Sequence, residues 1–294
     1  MKIVSFHRDG APSWGVVEDR RIVDLGLRAA ELAAGTFVDV LRAGNLMDIA
    51  VAAAGADADW ALDDVTFDVP VQVPGKVLCV GLNYAGHVRE MGRTMEDNPT
   101  IFTRFPDTLV PHGAPLQRPR ASATFDYEGE LAVVIGSGGR NIPTARALEH
   151  VAGWTCFNDA SVRDFQRHTP QWTPGKNFPA TGGCGPWIVT RDELPDLASA
   201  TITTRLNEVV VQKAGLDDLV FSVARIISYV STWTHLSAGD IIATGTPGGV
   251  GAGRTPPLWL APGDRVEVEI SGLGVLSNTV IDEPTGPDHA TVAH

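Results

Sequence analysis

The stretch FDYEGELAVVIG, residues 125 to 136, places Asp126, Glu128 and Glu130 at the head of an uninterrupted apolar run. In an extended chain alternate side chains share a face, so the three carboxylates are expected to point the same way. At about 3.3 Å rise per residue, the Cα atoms of Glu128 and Glu130 stand roughly 6.6 Å apart. Like charges entering a buried strand repel and lose hydration, so something must neutralise them. The chain carries its own comparison in DRVEVEI, residues 264 to 270, where Glu267 and Glu269 alternate strictly with Val266, Val268 and Ile270. That pattern describes a half-buried strand with a wet face, and water suffices there. No polar alternation continues into LAVVI, although a structural carboxylate network also fits the spacing of Glu128 and Glu130.

A third carboxylate, Asp159, comes after the apolar run GWTCF and precedes a short helical stretch, at a strand end where sites usually lie. Glu128, Glu130 and Asp159 together make an all-oxygen, strongly negative set. Such a set selects Mg²⁺ or Mn²⁺ first and Ca²⁺ next, over zinc. Asp159 equally fits the cap of a helix at residues 160 to 167. Arg163 and Gln166 lie four and seven residues beyond it, hence on one helical face. Arg163 could fork onto a substrate carboxylate, or pair with a site carboxylate or Asp164. Lys176, in TPGKNFP, reads from its surroundings as a solvated loop lysine. In LNYAGHVREMG, His87 and Glu90 are three apart, the arrangement of a general base with its orienting acid, and also a common inert surface pair.

The elements that must position these residues are mostly strands. MKIVSF, SWGVVED and RRIVDL read as three short strands, succeeded by helical pieces around VDVLRAG and LMDIAVAAA, in a small unit covering residues 1 to 70. FDVPVQVPGK resembles a linker. Beyond it KVLCVG, LAVVIG, VAGWTCFN, GPWIVT, ATITTRLN, EVVVQ, DIIATG, DRVEVEI and GVLSNTVI are expected strands. LDDLVFSVARIISYVSTW carries an amphipathic stripe of Leu219, Val223, Ile226, Val230 and Trp233. Shorter helices are expected at YAGHVREMG, TARALEHV and SVRDFQRH. Many strands with few crossover helices favour a β-rich α+β architecture over a doubly wound sheet. The tail from residue 283 to 294 is expected to be disordered. CVGLNYAG and GTPGGVGAGRT lack the endings of phosphate loops, and prolines at 256, 257 and 262 forbid a helix after the second. A nest of backbone N–H groups for a carboxylate stays open beside a plain turn.

Composition bounds the partners. Lys and Arg number 23 against 35 Asp and Glu, a net charge of −12, which repels phosphate backbones and argues against nucleic acid. No apolar run approaches the length of about 20 residues that spans a bilayer, and MKIVSFHRDG lacks a signal-peptide pattern. Three cysteines without CxxC spacing argue against a disulfide framework and fit a reducing cytoplasm.

In combination the motifs are distinctive. NYAGHVRE, FDYEGELAVVIG, NDASVRDFQ, GKNFPATGGCGPWIV, TGTPGGVG and PGDRVEVEISGLGVLSNTV occur in the order seen in the fumarylacetoacetate hydrolase superfamily, which the chain resembles over roughly residues 75 to 281. The resemblance implies a mixed β-sandwich roll over residues 75 to 282, preceded by a small N-terminal α/β domain, and a homodimer. It implies Mg²⁺ or Mn²⁺ on Glu128, Glu130 and Asp159, and His87 with Glu90 on a lid. It makes His87, Glu90 and Lys176 catalytic and puts Arg104, Tyr127, Arg163, Gln166 and Thr246 around the substrate. Two departures bear on substrate identity: Pro179 where the family often has Asp, and Arg104 where it often has Lys. The implied activity is hydrolysis of a C–C bond in a 2,4-diketo acid of the acylpyruvate or fumarylpyruvate type, through an enolate stabilised by the metal. Decarboxylation of a β-keto acid such as oxaloacetate, isomerisation of 2-hydroxyhepta-2,4-diene-1,7-dioate, and hydration of a 2-oxo acid are alternatives for the same site. An inactive metal-binding relative is the alternative outside enzymes.

Overall fold

The computed structural model describes residues 1–28, 35–44, 46–86 and 96–285. His87 and Glu90, most of the helix expected at YAGHVREMG, and residues 286 to 294 of the expected tail lie outside the described residues. The chain opens with β1 (Lys2–Arg8), β2 (Ala11–Glu18) and β3 (Arg21–Asp24). Helices α1 (Phe37–Ala43) and α2 (Leu46–Ala53) come next. Thr36 and Asp39 close a reciprocal capping box on α1, and Gly44 ends it in the left-handed conformation. Short strands β4 (Trp60–Ala61) and β5 (Thr66–Phe67) complete the N-terminal segment.

The chain continues through β6 (Val77–Gly81), β7 (Thr100–Arg104), β8 (Leu109–Val110), β9 (Leu116–Arg118), β10 (Phe125–Asp126), β11 (Gly129–Ile135), β12 (Val151–Asn158) and β13 (Ser161–Val162). Helices α3 (Arg163–Gln166) and α4 (Thr173–Lys176) are one turn each and lead into β14 (Gly182–Thr190). The remainder is β15 (Thr201–Leu206), β16 (Val209–Gly215), α5 (Val223–Trp233), β17 (Ile241–Ala243), β18 (Arg265–Ile270) and β19 (Gly274–Asp282). TARALEHV forms a 3-10 turn, Thr144–His150.

The largest sheet runs β4-β3-β2-β1-β14-β12-β11-β17-β6-β7, with β5 on β1 and β8 on β14. Pairing of β1 with β14 makes the N-terminal strands a continuation of this sheet. The β17–β6 and β14–β8 pairs are parallel and their neighbours antiparallel, so the sheet is mixed. A second sheet, β16-β15-β18-β19-β9, packs over the centre of the first. The architecture is a β-rich α+β fold, as the strand-dominated sequence implied.

LAVVI is apolar throughout because both faces of β11 are covered. Leu131, Val133 and Ile135 enter one core with Ile227 of α5 and Val268 of β18. Ala132 and Val134 enter another with Phe37 and Leu41 of α1. The α5 stripe is shorter than the sequence suggested. Ser222 caps the helix, so Leu219 lies before it, and Trp233 is half exposed; Ile227 is buried instead.

One expectation fails. Residues 125 to 136 do not form a continuous strand. β10 pairs with β13, Tyr127 and Glu128 leave the ladder, and β11 begins at Gly129. Side chains take over where the ladder lapses: Asn158 Oδ1 accepts the Glu128 N–H at 3.0 Å, and Gln212 Oε1 accepts that of Gly129 at 3.0 Å. Asp126 is thereby turned out of the line of the two glutamates.

Candidate metal centre and cleft

Strand register builds the acidic cluster. Gly129 lies opposite Asn158, and the Asp159 N–H donates to Glu128 O at 2.8 Å, so the end of β12 delivers Asp159 beside Glu128 and Glu130. One carboxylate oxygen from each of the three lies within 4.8 Å of the other two, and all three side chains are buried. Asp159 caps no helix. α3 starts four residues later, and its cap residue is Val162.

Positive side chains surround the cluster. Lys176 Nζ is 2.7 Å from Glu128 Oε2 and 2.6 Å from Asp159 Oδ2, with the ring of Phe102 5.0 Å away. It is 1 % exposed, so the solvated-loop reading is wrong. The turn of α4 carries it inward, and Gly175 allows the close approach: a Cβ there would stand 2.4 Å from Gln166 N. Arg163 Nη1 pairs with Glu128 Oε1 at 2.7 Å and donates to Gln166 Oε1 at 3.0 Å, while its Nε donates to Asp126 Oδ2 at 2.8 Å. Of the two readings of Arg163, pairing with site carboxylates is therefore the one the structure displays. Arg104 Nη1 donates to Asp159 Oδ1 at 2.6 Å and to Ala160 O at 3.1 Å, and its Nη2 donates to Thr181 Oγ1 at 2.7 Å.

Two residues expected around the substrate are not brought to the cleft. Arg104 is packed behind Asp159 with its side chain fully buried. Tyr127 is buried too, its hydroxyl donating to Gly249 O and accepting from Arg254 Nε, both at 3.1 Å. The break in strand alternation at residues 127 and 128 accounts for that direction. Gln166 and Thr246 do line the cleft, with Glu128, Glu130, Arg163 and Lys176. Thr246 Oγ1 donates to Gly129 O at 2.9 Å and accepts from Gln212 Nε2 at 2.8 Å.

The Gly-rich loop does present backbone amides to carboxylates, and those carboxylates are the protein's own. Gly251 and Ala252 N–H groups donate to Asp126 at 2.8 and 2.9 Å. Gly245 N–H donates to Glu130 Oε2 at 2.8 Å. Gly245 has φ +104°, and a Cβ would meet Asn83 Cβ at 2.8 Å, so glycine is required there. Sequence reasoning missed Asp126, which ties this loop to Arg163; its common parity with the glutamates was the only signal.

Charge balance explains the electrostatics. Arg104, Arg163 and Lys176 face Asp126, Glu128, Glu130 and Asp159, three cations against four carboxylates. Burial pushes the Glu130 carboxyl well above its usual range, and the charges of Asp159 and Glu128 push it further. Burial acts to lower Lys176, but the charges of Asp159 and Glu128 outweigh it and hold the ammonium above its ordinary value. Among the described residues Glu130 has no cation paired with it. Its oxygen chemistry, the two neighbouring carboxylates and the uncompensated charge fit a hard divalent cation. Arg163 is one of these cations in the reading from sequence; Arg104 and Lys176 are added by the structure.

Fold and cleft together define a class of enzyme-like β-rich protein in which buried acids stand at the base of a small pocket. The family description "Fumarylacetoacetate (FAA) hydrolase C-terminal" matches residues 76–281, and the chain belongs to that family. Oxaloacetate tautomerase FAHD2A, mitochondrial, of Bos taurus is 43% identical over 220 residues, 74% of this chain and 70% of that protein. Oxaloacetate tautomerase YisK of Bacillus subtilis is 35% identical over 287 residues, 90% and 94% of the two chains. Among solved structures, maleylpyruvate hydrolase from Sphingobium sp. SYK-6, in complex with manganese(II) ion and pyruvate, superposes with a TM-score of 0.80 at 27% identity, covering 97% of this chain and 100% of the other. No helix among the described residues is long and apolar enough to cross a membrane.

Proposed function

We propose that the protein is a divalent-metal-dependent enzyme that interconverts the keto and enol forms of a small 2-oxo acid, with oxaloacetate as the substrate named in its relatives. The observation that carries this reading is the triad Glu128, Glu130 and Asp159 beside the buried ammonium of Lys176. When bound, Mg²⁺ or Mn²⁺ supplies the Lewis acidity that makes an enolate accessible at neutral pH. Glu128, Glu130 and Asp159 would hold the ion. Lys176, kept charged by Glu128 and Asp159, presents a desolvated cation to oxygen atoms that gain negative charge. Arg163 fixes Glu128 from the other side, and Gln166 and Thr246 offer polar atoms to the bound acid. Phe102 and Trp172 form apolar walls that keep bulk water from the reacting carbons. In tautomerisation the enol O–H proton leaves, a proton joins the adjacent carbon, and nothing else is exchanged.

Hydrolysis of an acylpyruvate is the second reading, supported by the maleylpyruvate hydrolase likeness. It needs a base for water, the role assigned to His87 with Glu90. Water oxygen bonds the distal acyl carbon, the C–C bond breaks, and its electrons pass to the pyruvate carbon, which is then protonated. The same reading carries Lys176 as a catalytic group, a cytoplasmic location and a homodimer. Sedimentation of the purified protein checks the assembly.

Purified protein given Mn²⁺ and freshly dissolved enol-oxaloacetate should speed the loss of enol absorbance, lose that effect in EDTA and regain it with added Mn²⁺. Pyruvate release from acylpyruvates without tautomerisation would select the hydrolase instead, and CO₂ release from oxaloacetate the decarboxylase. Inertness toward all of these would leave a metal-binding relative without enzymatic action.

A further inference from the structure

We propose that Arg167 reads a second carboxylate at the far end of the substrate, so that the cleft prefers 2-oxo diacids over 2-oxo acids with a neutral tail. This rests on the 2-oxo acid reading above and adds the chemistry of the tail.

Arg104, Arg163 and Lys176 are ion-paired with Asp126, Glu128 or Asp159 around the acidic cluster, at the head-group end of the cleft. Arg167 differs. It lines the inner cleft together with Glu128, Glu130 and Lys176. It also lines the outer cavity, which shares Gln166, Phe102 and Trp172 with the inner cleft. It is the one cationic side chain among the described residues that borders both. No side-chain hydrogen bond or ion pair engages its guanidinium among the described residues. Its backbone is fixed, the N–H donating to Asp164 O at 3.0 Å at the end of α3.

A 2-oxo acid whose head group lies at the triad must send its tail outward past Phe102 and Trp172. These rings offer nothing to an anion, and Gln166, whose Oε1 accepts from Arg163, has a neutral amide N–H and no charge to offer. Arg167 then supplies the forked donor pair that matches a carboxylate. Glu96 and His168 line the outer cavity but not the inner cleft, so neither reaches the head group's position. Because Arg167 is exposed, solvent screens the pair, and the preference is expected at up to about fivefold.

The test compares two ligands that differ only in the tail. 2-Oxoglutarate carries a terminal carboxylate where 2-oxopentanoate carries a methyl group, and neither needs to react. Calorimetric titration of the Mn²⁺-saturated protein should show 2-oxoglutarate binding up to about fivefold more tightly. Arg167→Gln should abolish that difference by weakening 2-oxoglutarate alone, with Mn²⁺ affinity and melting temperature unchanged, and Arg167→Lys should keep part of it. A preference that survives Arg167→Gln, or an equal weakening of both ligands, overturns the assignment of Arg167 while leaving the 2-oxo acid reading standing. Wild-type protein that binds neither ligand overturns that reading and this inference with it.

Discussion

Glu130 is the residue on which the site's electrostatics turn, because among the described residues its neighbours Glu128 and Asp159 share the cations while it receives the Gly245 N–H. A carboxylate in that position gains more from an incoming divalent ion than either partner does. Glu130→Gln keeps the shape and removes the charge, and should weaken Mn²⁺ binding by at least about 100-fold in a calorimetric titration. Glu267→Gln makes the same chemical change in the second Glu-x-Glu pair, where the strand alternates buried Val and Ile with partly exposed Glu. It should leave Mn²⁺ affinity unchanged; a similar loss in both variants would mean that overall negative charge, and not a site, attracts the ion. The two pairs are distinguishable in the sequence by their neighbours, since Leu131 to Ile135 are unbroken apolar residues whereas Val and Glu alternate around Glu267 and Glu269. Lys176 is not distinguishable in that way, because nothing local marks a lysine whose burial depends on residues 17 and 48 positions away.

At the scale of elements, the site depends on how closely β11 lies against the second sheet. Gly129 separates the two glutamates, and a Cβ built on it would stand 2.1 Å from Thr204 Oγ1 of β15. Thr204 is fully buried, so its side chain has no open space to move into and the clash has no easy relief. Gly129→Ala should therefore cost about 1–3 kcal/mol in urea unfolding and displace the flanking glutamates, lowering metal affinity as well. Adding Thr204→Ala removes the clashing atom and leaves the former Cβ contact at 3.4 Å, so the double variant should recover most of the stability. Failure to recover would mean that the glycine serves backbone freedom, not approach. Strand identities were legible because β-branched runs and turn residues are local signals, and β18 shows its wet face by alternation. The interruption at Tyr127 and Glu128 was illegible because it is imposed by Asn158 and Gln212 from other strands. The start of α5 was missed for the opposite reason: a stripe that includes Leu219 is periodic, yet Ser222 supplies the better cap.

Across the whole molecule, the N-terminal strands are joined to the rest by β1 on β14 and by a seam in which His112 touches both sides. Its ring centroid is 4.8 Å from that of Phe67 in β5, and its Nδ1 accepts the N–H of Ser277 in β19 at 3.1 Å. An imidazole that accepts at this nitrogen must be unprotonated there. Burial lowers its pKa below the ordinary 6.5, against smaller opposing effects from the backbone at Val275 and the charge of Glu267. The unfolded chain consequently binds a proton more readily than the native one. The stabilisation is fully present above pH 6.5 and is lost as the pH falls from 6.5 through the lower native value. His112→Gln removes the titrating group, so the decline of melting temperature on acidification should be shallower in the variant than in the parent within that window, with the two slopes agreeing above it. Identical slopes throughout would show that the seam stays closed around a protonated imidazole, and that the N-terminal strands are held by the sheet alone.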